Sequence, residues 1–232
     1  VHRYSLGIAR RPSQIDRIPR PTARRLSLYL RALQSSLEDE GHGSRIRSRE
    51  LGELAGVAES QVRKDLASVG AAGQPGVGYA IEDLAETLRR SIGVHRTWRV
   101  VLIGAGNIGR ALLAYPRFTE EGFELVAVLD RSAQVVGRKV GGRVVQPMSA
   151  IAEVVRRTGA ELGIVAVPPA EAQEVANQLV RAGVRGVLNF APRALRLPDG
   201  VAVVAVDFTE ALERLAFETT LKPGSAGRAR ES

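Results

Sequence analysis

The feature that most constrains this chain is a strand, a glycine turn and an acid in its second half. Arg99-Val100-Val101-Leu102-Ile103 reads as a buried β-strand. It runs into Gly104-Ala105-Gly106-Asn107-Ile108-Gly109, a G-x-G-x-x-G that opens a helix from Arg110 to Ala114. A second strand, Glu124 to Leu129, ends in Asp130. In that order these pieces make the βαβ fingerprint of a dinucleotide site. Gly104 permits the tight turn, Gly106 lets a pyrophosphate approach backbone N–H groups, and Gly109 lets helix and strand pack closely. Ala105, Asn107 and Ile108 complete the turn as candidate contacts. Asp130 can accept hydrogen bonds from a ribose diol and repels a 2′-phosphate, which favours NAD over NADP; the adjacent Arg131 acts in the opposite sense. A bare packing turn is the plain alternative, and the ordered run from strand to terminal acid weighs against it.

A chain of 232 residues can hold two modest domains, each with its own core. No apolar run approaches the roughly 20 residues of a membrane helix, and the basic start lacks an apolar signal core, so a cytoplasmic protein without membrane partners is expected. The absence of cysteine excludes disulfides, thiol redox chemistry and cysteine-ligated metals. Any redox sensitivity must come from a bound cofactor, and no metal site is expected.

The formal net charge of +8 is concentrated at the start. Between Val1 and Arg31 eight arginines face one acid, Asp16, a local net charge of +7. Residues 1–17 read as a flexible basic arm, either a solvated tail or a source of phosphate contacts. A helix from Pro21 or Thr22 to Glu40 follows, with Leu26, Tyr29, Leu30, Leu33 and Leu37 on one face. Ser48 can cap a short helix through Leu54, and Gly56-Val57 turns into another from Glu59 to Ser68. Leu51, Leu54, Val57, Val62 and Leu66 are expected to share a core. This is a helix-turn-helix pattern whose second helix presents Ser60, Gln61, Arg63, Lys64 and Asp65 outward. Ser60, Gln61, Arg63 and Lys64, with Arg20 and Arg24 on the first helix, are the candidate DNA contacts, against the alternative of an ordinary solvated face. The glycine-rich segment Gly70 to Tyr79 reads as a wing, and a helix from Ile81 to Ser91 leads to a linker at 93–98.

Beyond Asp130 come an irregular stretch, Gly137 to Val144, a helix at 149–158, the strand Leu162 to Val167 and a helix at 170–182. Strands at 186–190 and 201–206 and a helix from Phe208 to Leu221 complete the pattern. Alternating strands and helices imply a parallel sheet whose ligands sit outside the strand C-termini. Val167, Pro168, Asn189 and Phe190 therefore join Gly104 and Asp130 at one rim. The fold expected is α/β: a winged helix-turn-helix domain (18–92), a Rossmann-type parallel-sheet domain (93–207), a C-terminal dimerisation helix (208–221) and a flexible tail (222–232). The last helix carries an apolar stripe that needs a partner face, on its own sheet or on another subunit.

A dehydrogenase must move a proton as well as a hydride, usually through histidine, lysine, tyrosine or a carboxylate. His2, His42 and His95 all precede the glycine turn. After it the lysines are Lys139 and Lys222 and the tyrosine is Tyr115, none at the rim. With no second lobe for a substrate, the nucleotide reads as a signal and no catalytic residue is expected. A small NAD-dependent oxidoreductase and a CoA- or nucleotide-binding module are the alternatives.

Several segments together resemble the Rex family of redox-sensing transcriptional repressors, from about Ile18 to Leu221. They are Gln61-Val62-Arg63-Lys64-Asp65-Leu66, Gly76-Val77-Gly78-Tyr79, Gly104 to Gly109 followed by Tyr115-Pro116, Asn189-Phe190-Ala191-Pro192 and Val206-Asp207-Phe208-Thr209. The resemblance implies a homodimer on a palindromic operator in double-stranded DNA, a swapped C-terminal helix, and a core that senses NADH against NAD⁺ and releases DNA on binding NADH. By the same resemblance Phe208 enters the partner's nicotinamide pocket, and Asp207 chooses between Arg31 and Tyr115 as a switch. The chain departs from the family in two places. Ala67-Ser68-Val69 stands where an aromatic pair is usual, and Gln74-Pro75 stands where the wing usually carries a basic residue.

Overall fold

In the computed structural model, which describes residues 18–40 and 43–221, the chain divides into two compact units between Arg96 and Thr97. The expected arm at 1–17 and tail at 222–232 lie outside the described residues.

The first unit contains α1 (Arg20–Glu40), β1 (Arg45–Ile46), α2 (Ser48–Ala55), α3 (Glu59–Ser68), β2 (Tyr79–Ala80) and α4 (Ile81–Ser91). Pro21 lies in the first turn of α1, where its fixed φ suits the helix and its missing N–H is not needed. Leu26, Tyr29, Leu30 and Leu33 pack against Leu51, Val62, Leu66, Ile81, Leu84 and Leu88. Leu54 does not join this core and is 60% exposed. The inner face of α2 is centred on Leu51, Gly52 and Ala55, and Leu54 falls off it. A Cβ on Gly52 would lie 2.5 Å from the Val57 carbonyl oxygen, so the turn between α2 and α3 closes tightly against a glycine.

Ser48 is not the cap expected of it. Arg47 occupies that position, its backbone N–H donating to Glu50 Oε2 at 2.8 Å, while Ser48 is the first helical residue and its hydroxyl accepts from Arg63 Nε at 3.2 Å. The wing is also less regular than a hairpin. Gln74 and Gly78 form a single bridge, and β2 pairs antiparallel with β1, in the register Arg45 with Ala80 and Ile46 with Tyr79.

The second unit is a seven-stranded sheet in the order β5-β6-β4-β3-β7-β8-β9. Its strands are β3 (Trp98–Ile103), β4 (Phe123–Asp130), β5 (Lys139–Val140), β6 (Arg143–Pro147), β7 (Leu162–Val165), β8 (Gly186–Asn189) and β9 (Ala202–Ala205). All neighbours are parallel except β5 and β6. The helices are α5 (Asn107–Leu113), α6 (Arg117–Glu120), α7 (Ile151–Thr158), α8 (Pro169–Arg181) and α9 (Phe208–Leu221). From β6 to β9 this is the doubly wound order, with its reversal between β3 and β7. Residues of β3 alternate between two cores: Val101 and Ile103 pack with Val154, Val175 and Leu179, while Val100 and Leu102 pack with Leu112, Leu113 and Phe118.

The stretch Gly137 to Val144, expected to be irregular, forms the β5–β6 hairpin. Gly141 and Gly142 both take positive φ, as a two-residue hairpin turn of the primed type requires. At the other edge, no residue of α9 is buried. An apolar groove of about 360 Å³ lies open on the sheet, with Phe118, Phe123, Ile164, Leu188 and Val204 among its lining residues. Among the described residues no helix is long and apolar enough to cross a membrane, and no cluster of three or more histidines and carboxylates could hold a metal.

Candidate nucleotide site and DNA-reading surface

The strand β3 delivers the glycine turn to the topological switch point. Gly104 adopts φ +102°, and a Cβ there would lie 2.2 Å from the Ala166 carbonyl oxygen. A Cβ on Gly109 would lie 1.9 Å from the Gly104 carbonyl oxygen, so α5 packs on the turn only with glycine at that position. Around Gly106 nothing lies within 4 Å of an added Cβ, and Gly106, Asn107 and Ile108 are exposed at the start of α5. The first N–H groups of a helix have no partner within it, so this open backbone can receive a pyrophosphate. At the end of β4, Asp130 Oδ2 accepts the Ala105 N–H at 2.7 Å and Oδ1 accepts the Ser132 N–H at 2.7 Å. Both bonds fix the carboxylate beside the turn and leave further lone pairs for hydroxyl donors.

A cavity of about 550 Å³ opens at this point, within the range of small-molecule sites. Of the residues expected from sequence, Gly104, Gly106, Asp130, Arg131, Val167 and Pro168 line it. Sequence reasoning missed the wall supplied by α8, chiefly Glu171, Glu174 and Gln178. Arg131 Nη2 is held by Glu171 Oε1 at 2.9 Å. Hydrogen bonds from Arg181 and Gln178 hold the Glu174 carboxyl below the usual carboxylate range. No sequence spacing links the end of β4 to the first turn of α8; the strand order of the folded sheet brings them together.

Asn189, Phe190 and Phe208 are not among the residues that line this cavity. Asn189, fully buried, donates from Nδ2 to the carbonyl oxygens of Ala191 and Arg193 at 3.1 and 2.8 Å and accepts the Ala191 N–H at 3.1 Å. It shapes the loop after β8 and does not line the cavity. Phe190 lies 6.4 Å, centroid to centroid, from the exposed Phe208 ring. Asp207 caps α9, Oδ1 accepting the Thr209 and Glu210 N–H groups at 2.8 and 3.4 Å. Tyr115 is half exposed, with its ring edge-on to Phe118 at 5.2 Å, and Arg31 is exposed on α1.

In the first unit, Ser60, Arg63, Lys64 and Ala67 follow the spacing of one helix face and all are exposed, as are Arg20 and Arg24 on α1. Arg63 bonds Glu59 and Ser48, whereas Gln61 turns partly inward and donates to Asp65 Oδ1 at 2.9 Å. Asp65, expected to face outward, is buried. Arg25 reaches it through Nε at 2.6 Å and Nη2 at 2.7 Å, and the Tyr29 hydroxyl donates to Oδ2 at 2.9 Å. Burial alone pushes the Asp65 carboxyl up, but the bonds from Arg25, Gln61 and Tyr29 outweigh it and hold the group ionised below its ordinary value. The outcome is that α3 is clamped to α1, and its exposed face carries Lys64 together with an Arg63 that is shared with Glu59. The wing has no charged residue between Gly70 and Ala80. Arg45, which sequence reasoning passed over, brings one to it, donating from Nη2 to Gln74 Oε1 and the Gly78 carbonyl oxygen, both at 3.1 Å.

A helix-turn-helix unit joined to a nucleotide-type sheet defines the class, and family models fall on either side of the boundary. A putative DNA-binding protein N-terminus matches residues 17–67, and a CoA binding domain matches residues 95–193. The redox-sensing transcriptional repressor Rex of Carboxydothermus hydrogenoformans is 45% identical over 201 residues, covering 87% of this chain and 96% of that protein. Its counterpart in Streptomyces coelicolor is 39% identical over 224 residues, 96% of this chain and 86% of the relative. Two crystal structures of RSP, a Rex-family repressor, are similar at 33% identity. The complex with β-NAD⁺ and operator DNA has a TM-score of 0.79 over 90% of this chain and 99% of that one; the β-NADH complex has 0.77 over 89% and 96%. This chain belongs to the Rex family of redox-sensing transcriptional repressors.

Proposed function

We propose that this protein is a cytoplasmic, homodimeric repressor that holds a palindromic operator through Ser60, Gln61, Arg63, Lys64, Arg20 and Arg24, and releases it on binding NADH. The observation that carries the reading is the cavity at the switch point, where an open glycine turn and a fixed Asp130 stand together in a chain that also presents a cationic recognition helix. The residues fit a dinucleotide. Gly106 leaves backbone open to a pyrophosphate, Asp130 faces a ribose, and Val167 and Pro168 give an apolar wall. When bound, the nicotinamide supplies the redox signal, since its ring is cationic when oxidised and neutral when reduced. We assign Phe208 of α9 to reading the ring in the pocket of the partner subunit, and Asp207, with Arg31 and Tyr115 as its alternative partners, to the switch.

The titratable residues lining the cavity are Asp130, Arg131, Glu171 and Glu174, with no histidine, lysine or tyrosine. Its three carboxylates are already engaged, Asp130 by the Ala105 and Ser132 N–H groups, Glu171 by Arg131 and Glu174 by Arg181 and Gln178, which favours a sensor over a dehydrogenase. Dimerisation is supported by the open groove on the sheet and by the exposure of Phe208, Leu212, Leu215, Phe217 and Leu221 on α9. A helix apolar on more than one face needs a covering surface, and a second copy provides one. The match to a CoA binding domain keeps one other ligand in view. Calorimetric titration with NADH, NAD⁺, CoA and ATP separates them. Saturable binding of NADH in preference to CoA and ATP is expected; binding of CoA without NADH would replace the cofactor assigned here, and steady NADH turnover with a small carbonyl compound would replace the sensor by an enzyme.

A further inference from the structure

Asp130 is not the only charged residue lining this cavity. Directly beside it stands Arg131, a guanidinium with the fork geometry that grips phosphate. A free arginine there would offset the repulsion of Asp130 and draw in the 2′-phosphate of NADPH. It is not free. Glu171, in the first turn of α8 and at 20% side-chain exposure, holds Arg131 Nη2 at 2.9 Å, while Arg131 itself is 71% exposed. The lining carries three carboxylates, Asp130, Glu171 and Glu174, against this one guanidinium. Glu174 already accepts from Arg181 at 2.8 Å and from Gln178 at 3.2 Å, so Glu171 is the carboxylate that occupies Arg131.

We propose that Glu171 is a specificity-determining residue: by sequestering Arg131 it denies the 2′-phosphate of NADPH its one cationic partner at the cavity wall and keeps the sensor responsive to NADH. The inference rests on the dinucleotide reading of the site. It deepens that reading by placing the NADH-over-NADPH choice on a pair contributed by two elements. A phosphomonoester dianion entering the unaltered site meets Asp130 and must compete with Glu171 for the Arg131 guanidinium. With glutamine at position 171 the attraction is weakened and one negative charge is gone, so the guanidinium can swing to the phosphate.

The test is calorimetric titration of NADH and NADPH into the full chain and into the variants Glu171→Gln, Arg131→Ala and the double variant. Competition against NADH is used where NADPH binds weakly. The readout is the ratio of the two dissociation constants, which a general loss of stability does not move selectively. Glu171→Gln is expected to shift the ratio about threefold to fivefold toward NADPH, the scale of a largely solvent-exposed ion pair. Arg131→Ala alone is expected to give no such shift, and adding it to Glu171→Gln is expected to abolish the gain. A ratio unchanged by Glu171→Gln, or a gain that survives in the double variant, would overturn the proposal while leaving NADH binding intact. Failure of the parent to bind NADH would overturn the dinucleotide reading together with it.

Discussion

A carboxylate on the outer face of α3, the helix we assign to DNA contact, would repel a duplex, and Asp65 instead turns toward α1, where Arg25, Tyr29 and Gln61 hold it. Because those bonds lower its folded-state value, the unfolded chain takes up the proton first as pH falls. The stabilisation is complete above the ordinary aspartate value of about 3.9 and disappears as pH drops through the lower folded value. Asp65→Asn is expected to cost the first unit about 2 kcal/mol at neutral pH, a buried-pair effect discounted for the partial exposure of Arg25, and to flatten the acid limb of its stability. Urea denaturation followed by circular dichroism across pH checks both. At the nucleotide site, Asp130→Ala is expected to weaken NADH binding about tenfold or more through loss of the ribose partner, with operator affinity in the absence of nucleotide retained. On the outer face of α3, Lys64→Ala and Arg63→Ala are each expected to lower the slope of log affinity against log salt by about one. An unchanged slope would make them solvated residues without a phosphate contact. The orientation of Asp65 was not legible in sequence, because Arg25 and Asp65 are joined only by packing. Gly104 and Gly109 were legible, because their demands are local: a positive φ at one and a close approach at the other.

At the scale of elements, α9 and the wing carry the unfinished contacts. Phe208, Leu212, Leu215, Phe217 and Leu221 are each 60 to 65% exposed, and burying such side chains stabilises by about 1.5–3 kcal/mol apiece. A chain ending at Asp207 is therefore expected to sediment as a monomer where the full chain sediments as a dimer; a dimer that survives the truncation would place the interface elsewhere. The helices α1, α3, α4 and α9 are legible in sequence almost to the residue. The β5–β6 hairpin is not, since its strands are short and its one hairpin signal is the Gly141-Gly142 turn. The wing failed differently: its strand partner is β1, far upstream, and only long-range pairing reveals that Arg45 serves it.

Across the whole molecule, the sequence separates two jobs that the fold keeps in separate units, a cationic helix-turn-helix before Arg96 and a doubly wound sheet after Thr97. Membership of the Rex family joins them into one device in which a small ligand sets the occupancy of DNA. Coupling of about 1–3 kcal/mol between the two sites changes occupancy about 5- to 150-fold, enough for a regulatory switch without catalysis. The measurement that tests this most directly is fluorescence anisotropy of a labelled palindromic operator from upstream of the native gene, at fixed salt, with NADH and NAD⁺ titrated separately into the complex. The account predicts release by NADH at concentrations where NAD⁺ leaves the complex intact. Binding that is indifferent to both nucleotides, or released equally by both, would contradict it.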